Sequence, residues 1–327
     1  FDNNQDGLPD LGMAPENGEW EKNLAGMAKS FGEASMADNG LGAGEQAKAF
    51  AFDQLRETLS QQVSRDLESW FSPWGNASID LLVDDEGNFS GSHGSWFIPL
   101  QDNQRYLSWS QVGVTRRTDG TVGNAGIGQR WIAGNWLLGY NTFYDSWLDE
   151  HIARGGLGAE AWGEYLRLSA NYYEPLGGWR SSSVLREQRM ARGYDLTARA
   201  WLPFYRHVNT SVSFEHYFGD SVDLFDSGTG YHNPTAVSLG LNYTPVPIVT
   251  LTAQYKQGES SVSQSNLGLK LNYRFGVPLK KQLEASEVAS GKSLRGSRYD
   301  SPQRNMLPVM GTRQRKNLSV FLATPPW

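Results

Sequence analysis

Three segments near the end of the chain, residues 236–243, 249–256 and 267–275, share one alternation that few folds tolerate. On the first, Val237, Leu239, Leu241 and Tyr243 would face one way and Ala236, Ser238, Gly240 and Asn242 the other. On the second, Val249, Leu251, Ala253 and Tyr255 oppose Thr250, Thr252, Gln254 and Lys256; on the third, Leu267, Leu269, Leu271, Tyr273 and Phe275 oppose Gly268, Lys270, Asn272 and Arg274. Strand side chains alternate between faces, so each segment has one greasy and one wet side. A soluble sandwich also makes such strands. Here the wet side carries Lys, Arg, Gln and Asn while tyrosines end the greasy one, which is the pattern of a membrane barrel with a polar lumen and an aromatic girdle. Trp136, Tyr140, Tyr243, Tyr255, Tyr273 and Phe275 are the girdle candidates.

Composition agrees with that reading. A mean hydropathy of -0.51 and the absence of a long apolar run exclude a transmembrane helix but not a barrel, whose strands average to modest hydropathy. The 12 Trp and 36 Gly fit girdles plus small residues facing a lumen, with a Trp-rich carbohydrate-binding sandwich as the soluble alternative. With no cysteine, a disulfide framework and a thiolate metal site are both ruled out. The net charge of -6 argues against a general nucleic-acid binder. The first residues carry no basic, apolar export signal, so the expectation for an exported chain is a signal already removed or lying upstream.

Residues 1–42 read as an irregular leader. In residues 43–72, Phe52, Leu55, Leu59, Val63 and Leu67 recur at helical spacing, predicting an amphipathic helix on the periplasmic side before the first strand. Twelve strand candidates follow within residues 76–276, centred on 77–83, 95–100, 106–115, 123–132, 135–146, 154–162, 165–173, 194–202, 209–217, 235–244, 249–257 and 265–275. An even number suits a single-chain bacterial barrel. Their connections alternate between short ones, such as 133–134 and 163–164, and long polar ones, such as 175–193 and 218–234. The lumen of twelve strands is wider than side chains alone would fill, so something must plug it.

Residues 277–317 follow the last strand and are rich in Lys and Arg. Charge alone leaves two readings equally open, a plug in the lumen or a solvated basic tail attracted to lipid headgroups. Inward-facing Asp80, Asp195, Glu160 and Glu215 are the wall carboxylates available to a plug.

Several stretches resemble one known family. They are Gly128-Gln-Arg130, Gly134-Asn-Trp-Leu-Leu-Gly-Tyr-Asn-Thr-Phe-Tyr-Asp145, Leu157-Gly-Ala-Glu-Ala-Trp162, Tyr165-Leu-Arg-Leu-Ser-Ala-Asn171, Leu239-Gly-Leu-Asn-Tyr-Thr-Pro-Val-Pro247, Leu271-Asn-Tyr-Arg-Phe-Gly-Val-Pro278 and Ser293-Leu-Arg-Gly-Ser-Arg-Tyr-Asp300. Together they resemble the membrane domain of the intimin and invasin family, the inverse autotransporters, over roughly residues 64–317. The resemblance implies an all-β membrane protein: a 12-stranded antiparallel transmembrane β-barrel in the bacterial outer membrane, with a periplasmic N-terminus and an extracellular C-terminus. It also implies a linker that threads the lumen and carries an adhesive passenger to the cell surface, for adhesion to host cells or surfaces.

On that reading 277–317 is the lumenal linker and 318–327 the start of the passenger. Arg295, Arg298, Tyr299, Asp300 and Arg304 are the groups expected to hold the linker, with Arg130, Glu160, Arg167 and Arg199 as their partners on the wall. Met306-Leu-Pro-Val-Met310 departs from the family's usual Asn-rich step, which leaves the route of 306–311 open. No immunoglobulin-like domain follows, so the expectation is an anchor without its adhesin. The implied partners are outer-membrane lipid, the barrel-assembly machinery, periplasmic chaperones and, through a passenger, a host receptor or surface. The barrel is expected to be monomeric and to need no cofactor. Asn266, Gly268, Leu271 and Tyr273 are spaced like an assembly signal.

Two motifs point elsewhere. Asp2, Asn4, Asp6, Gly7 and Asp10 have the spacing of a calcium loop, but Met13 stands where the bidentate Glu belongs, so only weak Ca²⁺ binding is expected. His151 follows Asp149 and Glu150 in a loop, the one place for the catalytic His of an outer-membrane hydrolase. Gly155-Gly-Leu-Gly158 is no phosphate loop because no helix follows, and its glycines leave room in the lumen. A solute channel whose C-terminus stays in the periplasm is the other alternative.

Overall fold

The computed structural model describes residues 75–102, 106–292, 294 and 296–315. The expected leader, the helix in 43–72, the calcium-loop residues Asp2, Asn4, Asp6 and Asp10, Arg295 and the segment 318–327 lie outside the described residues.

The described chain closes a twelve-stranded antiparallel barrel. Its strands are β1 (Asn76–Asp84), β2 (His93–Asp102), β3 (Tyr106–Arg117), β4 (Gly120–Ala133), β5 (Trp136–Trp147), β6 (Ile152–Trp162), β7 (Leu166–Leu176), β10 (Arg192–Leu202), β11 (Tyr205–Phe218), β13 (Thr235–Val246), β14 (Val249–Gly258) and β15 (Ser263–Arg274). Each of the twelve expected strands is present. Neighbours in sequence pair by hairpins, and β1 closes on β15 from Asn76 opposite Arg274 to Asp84 opposite Asn266. No edge is left, the condition hydrocarbon imposes on a spanning sheet.

Both ends of the barrel wall lie at the end with short turns, where β4 and β5 or β10 and β11 are joined by two residues. The opposite, long-loop end carries three additional strands inside its two longest connections: β8 (Arg180–Ser181), β9 (Arg186–Met190) and β12 (Val222–Asp223). After β15 the chain makes two short helices, α1 (Leu279–Gln282) and α2 (Val288–Lys292), and ends in β16 (Met310–Gln314).

Alternation sorts the faces as the sequence does. Val237, Leu239, Leu241, Leu251 and Leu267 are exposed on the outside, while Ser238, Asn242, Thr252, Lys270 and Arg274 line the interior. Trp136, Tyr140 and Tyr255 project from the outer wall, whereas Tyr243 and Phe275 are half-covered. Tyr273 departs from the expectation. It is buried in an apolar cluster with Ile79, Val246, Ile248 and Leu271, against which Leu279 of α1 and Leu283 pack. The turn after β15 folds back at the short-turn end and covers this tyrosine.

The lumen departs more strongly from the small-residue interior anticipated above. Phe97, Trp109 and Phe143 form one buried inward cluster touched by Tyr299, and Trp162 and Leu137 form another with Leu294. Aromatics face inward because the interior is a packed core built around the returning chain and not a water channel.

Candidate functional site

The returning chain enters the lumen at the short-turn end and leaves it at the long-loop end. Gln282 anchors its start: the side chain accepts from the Arg274 amide at 2.8 Å and donates to the Arg274 carbonyl at 2.9 Å. Beyond α2 the chain turns at 296–299, where the Asp300 amide donates to the Ser297 carbonyl at 3.0 Å, and 301–309 then runs without regular secondary structure along the wall made by β2 to β10, where successive layers of polar contacts hold it.

The first layer lies near the short-turn end. Arg298 Nη2 is 2.6 Å from Asp102 of β2, and the Tyr299 hydroxyl bonds the other Asp102 oxygen. Arg130 of β4 forms the second. Its Nε lies 2.6 Å from Glu160, and its Nη1 donates to the carbonyls of Arg298 at 2.8 Å and Asp300 at 2.5 Å. The guanidinium lies 4.4 Å from the ring centre of Trp162 and 5.3 Å from that of Trp109. Stacking with aromatic faces favours Arg over Lys here. Asp300 itself receives Arg167 and Arg274, each at 3.0 Å.

Higher in the lumen, Arg199 reaches Gln303 Oε1 at 2.9 Å and Asn171 reaches the Gln303 carbonyl at 2.7 Å. Arg304 then meets Asp145 of β5, which also accepts Arg154 of β6 at 2.8 Å. Arg154 donates to the Asn305 carbonyl at 2.5 Å, the Tyr173 hydroxyl accepts from the Asn305 amide at 2.7 Å, and the Tyr217 hydroxyl accepts from the Asn305 side chain at 2.9 Å. Gly156 makes room for this layer, since a Cβ there would sit 3.2 Å from Arg304 Nη2.

At the exit the chain becomes a strand. Ala191 donates to the Val309 carbonyl at 2.7 Å, and β16 is then sandwiched in a four-stranded sheet of order β12, β16, β9, β8. Met310 to Gln314 pair with Met190 to Arg186, and Gly311 pairs with Val222. Arg313 adds an ion pair to Glu187 at 2.8 Å and lies 4.4 Å from the Trp179 ring centre. The segment whose route was open, 306–311, is the stretch that passes from the lumen into this sheet.

The structure brings Arg298, Tyr299, Asp300 and Arg304 together with Arg130, Glu160, Arg167 and Arg199. It does not use the carboxylates expected to receive the linker. Asp80 is bonded by His93 at 2.7 Å, Glu215 by Lys256 at 2.5 Å, Glu160 by Arg130, and Asp195 by Asn171 and Tyr173. These four are taken up by neighbours on the wall, and the linker arginines go to Asp102 and Asp145. Asp145 was legible in principle, because it alternates inward with Asn141 and Phe143 on a strand that ends in the block containing Tyr144 and Asp145.

The wall does not close completely on the linker. A cavity of about 630 Å³ remains on the side of β1, β10, β11 and β13 to β15. His151 sits exposed at the turn between β5 and β6, with a left-handed φ of 55°. Among the described residues no group of three or more His, Asp or Glu is placed to hold a metal.

Fold and lumen together define an outer-membrane β-barrel whose interior is occupied by its own C-terminal segment. The inverse autotransporter β-domain family matches residues 26–306, and the chain belongs to that family. It is 70% identical to the uncharacterized protein YchO of Escherichia coli K12 over 327 residues, which is 100% of this chain and 70% of that one. It is 36% identical over 278 residues to the inverse autotransporter adhesin YeeJ of the same strain, covering 84% of this chain and 12% of YeeJ. With intimin of Citrobacter freundii it shares 31% over 298 residues, 89% of this chain and 32% of intimin. The chain thus spans under a third of these two adhesins. A solved structure reported in work on the in-meso crystallization of membrane proteins superposes with a TM-score of 0.70 at 32% identity, covering 73% of this chain and 100% of that one.

Proposed function

We propose that this barrel is an anchor and translocator that exports and displays a C-terminal passenger, with no chemical step of its own. One observation carries the reading: the chain that completes the barrel at the short-turn end turns back, crosses the lumen and is built into a sheet at the long-loop end. A channel whose C-terminus stayed on its starting side would have no use for that route. The short turns then face the periplasm and the long loops the outside, as in outer-membrane barrels generally. Export as a hairpin follows, with the linker locking in the lumen once the passenger has folded outside. The adhesin names of the relatives support an adhesive passenger that meets a host cell or surface. Assembly would draw on the barrel-assembly machinery and periplasmic chaperones, and the barrel would work as a monomer.

The experiment is an epitope with a protease site placed after Trp327 in cells treated with an impermeant protease. Cleavage in intact cells is the expected result. Protection until the outer membrane is broken would leave a barrel without an export function.

A further inference from the structure

We infer that the unfilled part of the lumen is a binding site for a small, freely diffusing oxyanion, with inorganic phosphate as the reference ligand. Arg167 and Arg199 stand directly opposite each other on β7 and β10, both facing inward. Like charges in directly opposed positions repel, so the arrangement calls for an anion between or beside them. Asp300 supplies only part of one. It bonds Arg167 and Arg274, while the nitrogens of Arg199 meet just two neutral oxygens, Asn209 Oδ1 at 3.5 Å and Gln303 Oε1 at 2.9 Å.

Two lysines add to the excess. Lys270 is opposite Asp80 across the barrel closure and feels its charge beyond ion-pair distance, while the direct contact of that carboxylate is His93 at 2.7 Å. The Lys292 ammonium lies 5.6 Å from the centre of the Trp201 ring. Among the described residues, Arg199, Lys270 and Lys292 have no carboxylate within ion-pair distance.

All of these cations border the cavity of about 630 Å³, whose lining also holds Asp300 and the wall carboxylates Asp80, Asp195 and Glu215. Hydroxyl donors flank them by register, Ser211 opposite Arg199 and Thr250 opposite Lys270. A forked guanidinium, ammonium groups and hydroxyls around a wet pocket are the donor set of a phosphate or sulfate site. The anion completes the charge balance around Asp300 and so holds the linker indirectly.

The test uses the full chain refolded in phosphate-free detergent micelles, with thermal unfolding followed at increasing phosphate against sodium chloride of equal ionic strength. Phosphate is expected to raise the midpoint saturably and chloride not. Combining Arg199→Gln with Lys270→Gln should weaken the apparent phosphate affinity by at least about tenfold, since hydrogen bonds to charged groups are the stronger kind, while Arg199→Lys, which keeps the charge and loses the fork, weakens it less. Equal effects of the two salts, or an undiminished phosphate effect in the double variant, would overturn the proposal. Should the double variant fail to fold, phosphorus NMR on the wild-type chain decides. Line broadening of phosphate that sulfate competes away supports the site, and broadening no greater than with unfolded protein removes it.

Discussion

Arg304 on the threaded segment and Asp145 on β5 meet side by side, with Nη1 and Nη2 at 2.9 Å and 2.6 Å from the two carboxylate oxygens, and both side chains are almost completely shielded from solvent. Arg154 approaches the same carboxylate at 2.8 Å. One wall residue therefore holds two buried guanidinium groups, one fixed in the barrel and one belonging to the passing chain.

Neutralising that carboxylate should be costly. Removing one partner of a buried ion pair leaves an uncompensated charge, worth about 3–5 kcal/mol. Asp145→Asn is expected to lower the unfolding midpoint of the purified barrel strongly and to raise ion conductance in planar bilayers. Replacing Arg304 with Met leaves Asp145 paired with Arg154, so conductance should rise with a smaller loss of stability.

The contact at the short-turn end is weaker because it is wetter. Arg298 and Asp102 lie 2.6 Å apart with side chains 14% and 30% exposed. Arg298→Glu places two carboxylates together there and should raise conductance, with a stability cost of about 1 kcal/mol, near the upper range for solvent-accessible pairs. Unchanged conductance would argue against an electrostatically held plug.

Space in the lumen is as specific as charge. Gly156 lies beside Arg304, Tyr173 and Phe143. A valine there must displace one of them, and overpacking costs about 1–3 kcal/mol. Gly156→Val is expected to fold a barrel, visible as heat-modifiable migration on gels, while loosening the linker enough to expose it to protease.

The exit sheet offers a covalent test. Gln188 and Thr312 are directly paired on β9 and β16. Because Ala191 donates to the Val309 carbonyl, alternation makes this a non-hydrogen-bonded pair, the type with the closer Cα atoms. The chain has no native cysteine to compete. Gln188→Cys combined with Thr312→Cys should therefore form a disulfide spontaneously, read as a mobility shift reversed by reductant, and it should leave conductance unchanged.

Much of this architecture is legible in the sequence because period-two alternation is local. Val237 against Ser238 or Leu271 against Arg274 reveals its side without knowledge of any neighbour, and all twelve barrel strands follow from such pairs. Partnership is not local. Nothing adjacent in sequence says that Asp80 is spent on His93 or that Asp145 serves Arg304, 159 positions away. The inward aromatics Phe97, Trp109 and Trp162 are invisible for a related reason. Trp162 ends its strand, where an aromatic fits a girdle equally well, and only the filled lumen makes the inner face at Phe97 and Trp109 apolar. Met306 to Met310 reads as a break in the family pattern, and nothing local shows that Met310 to Gln314 will pair with β9 and β12.

The central claim is that the segment after β15 crosses the lumen from the short-turn end to the long-loop end. The cysteine-free chain allows it to be tested directly with two single variants, Lys281→Cys in α1 and Gln314→Cys in β16, both at exposed positions. An impermeant maleimide applied to intact cells should label Gln314→Cys and leave Lys281→Cys untouched until the outer membrane is permeabilised. Labelling of neither or of both in intact cells would place the two positions on one side and contradict the threaded linker.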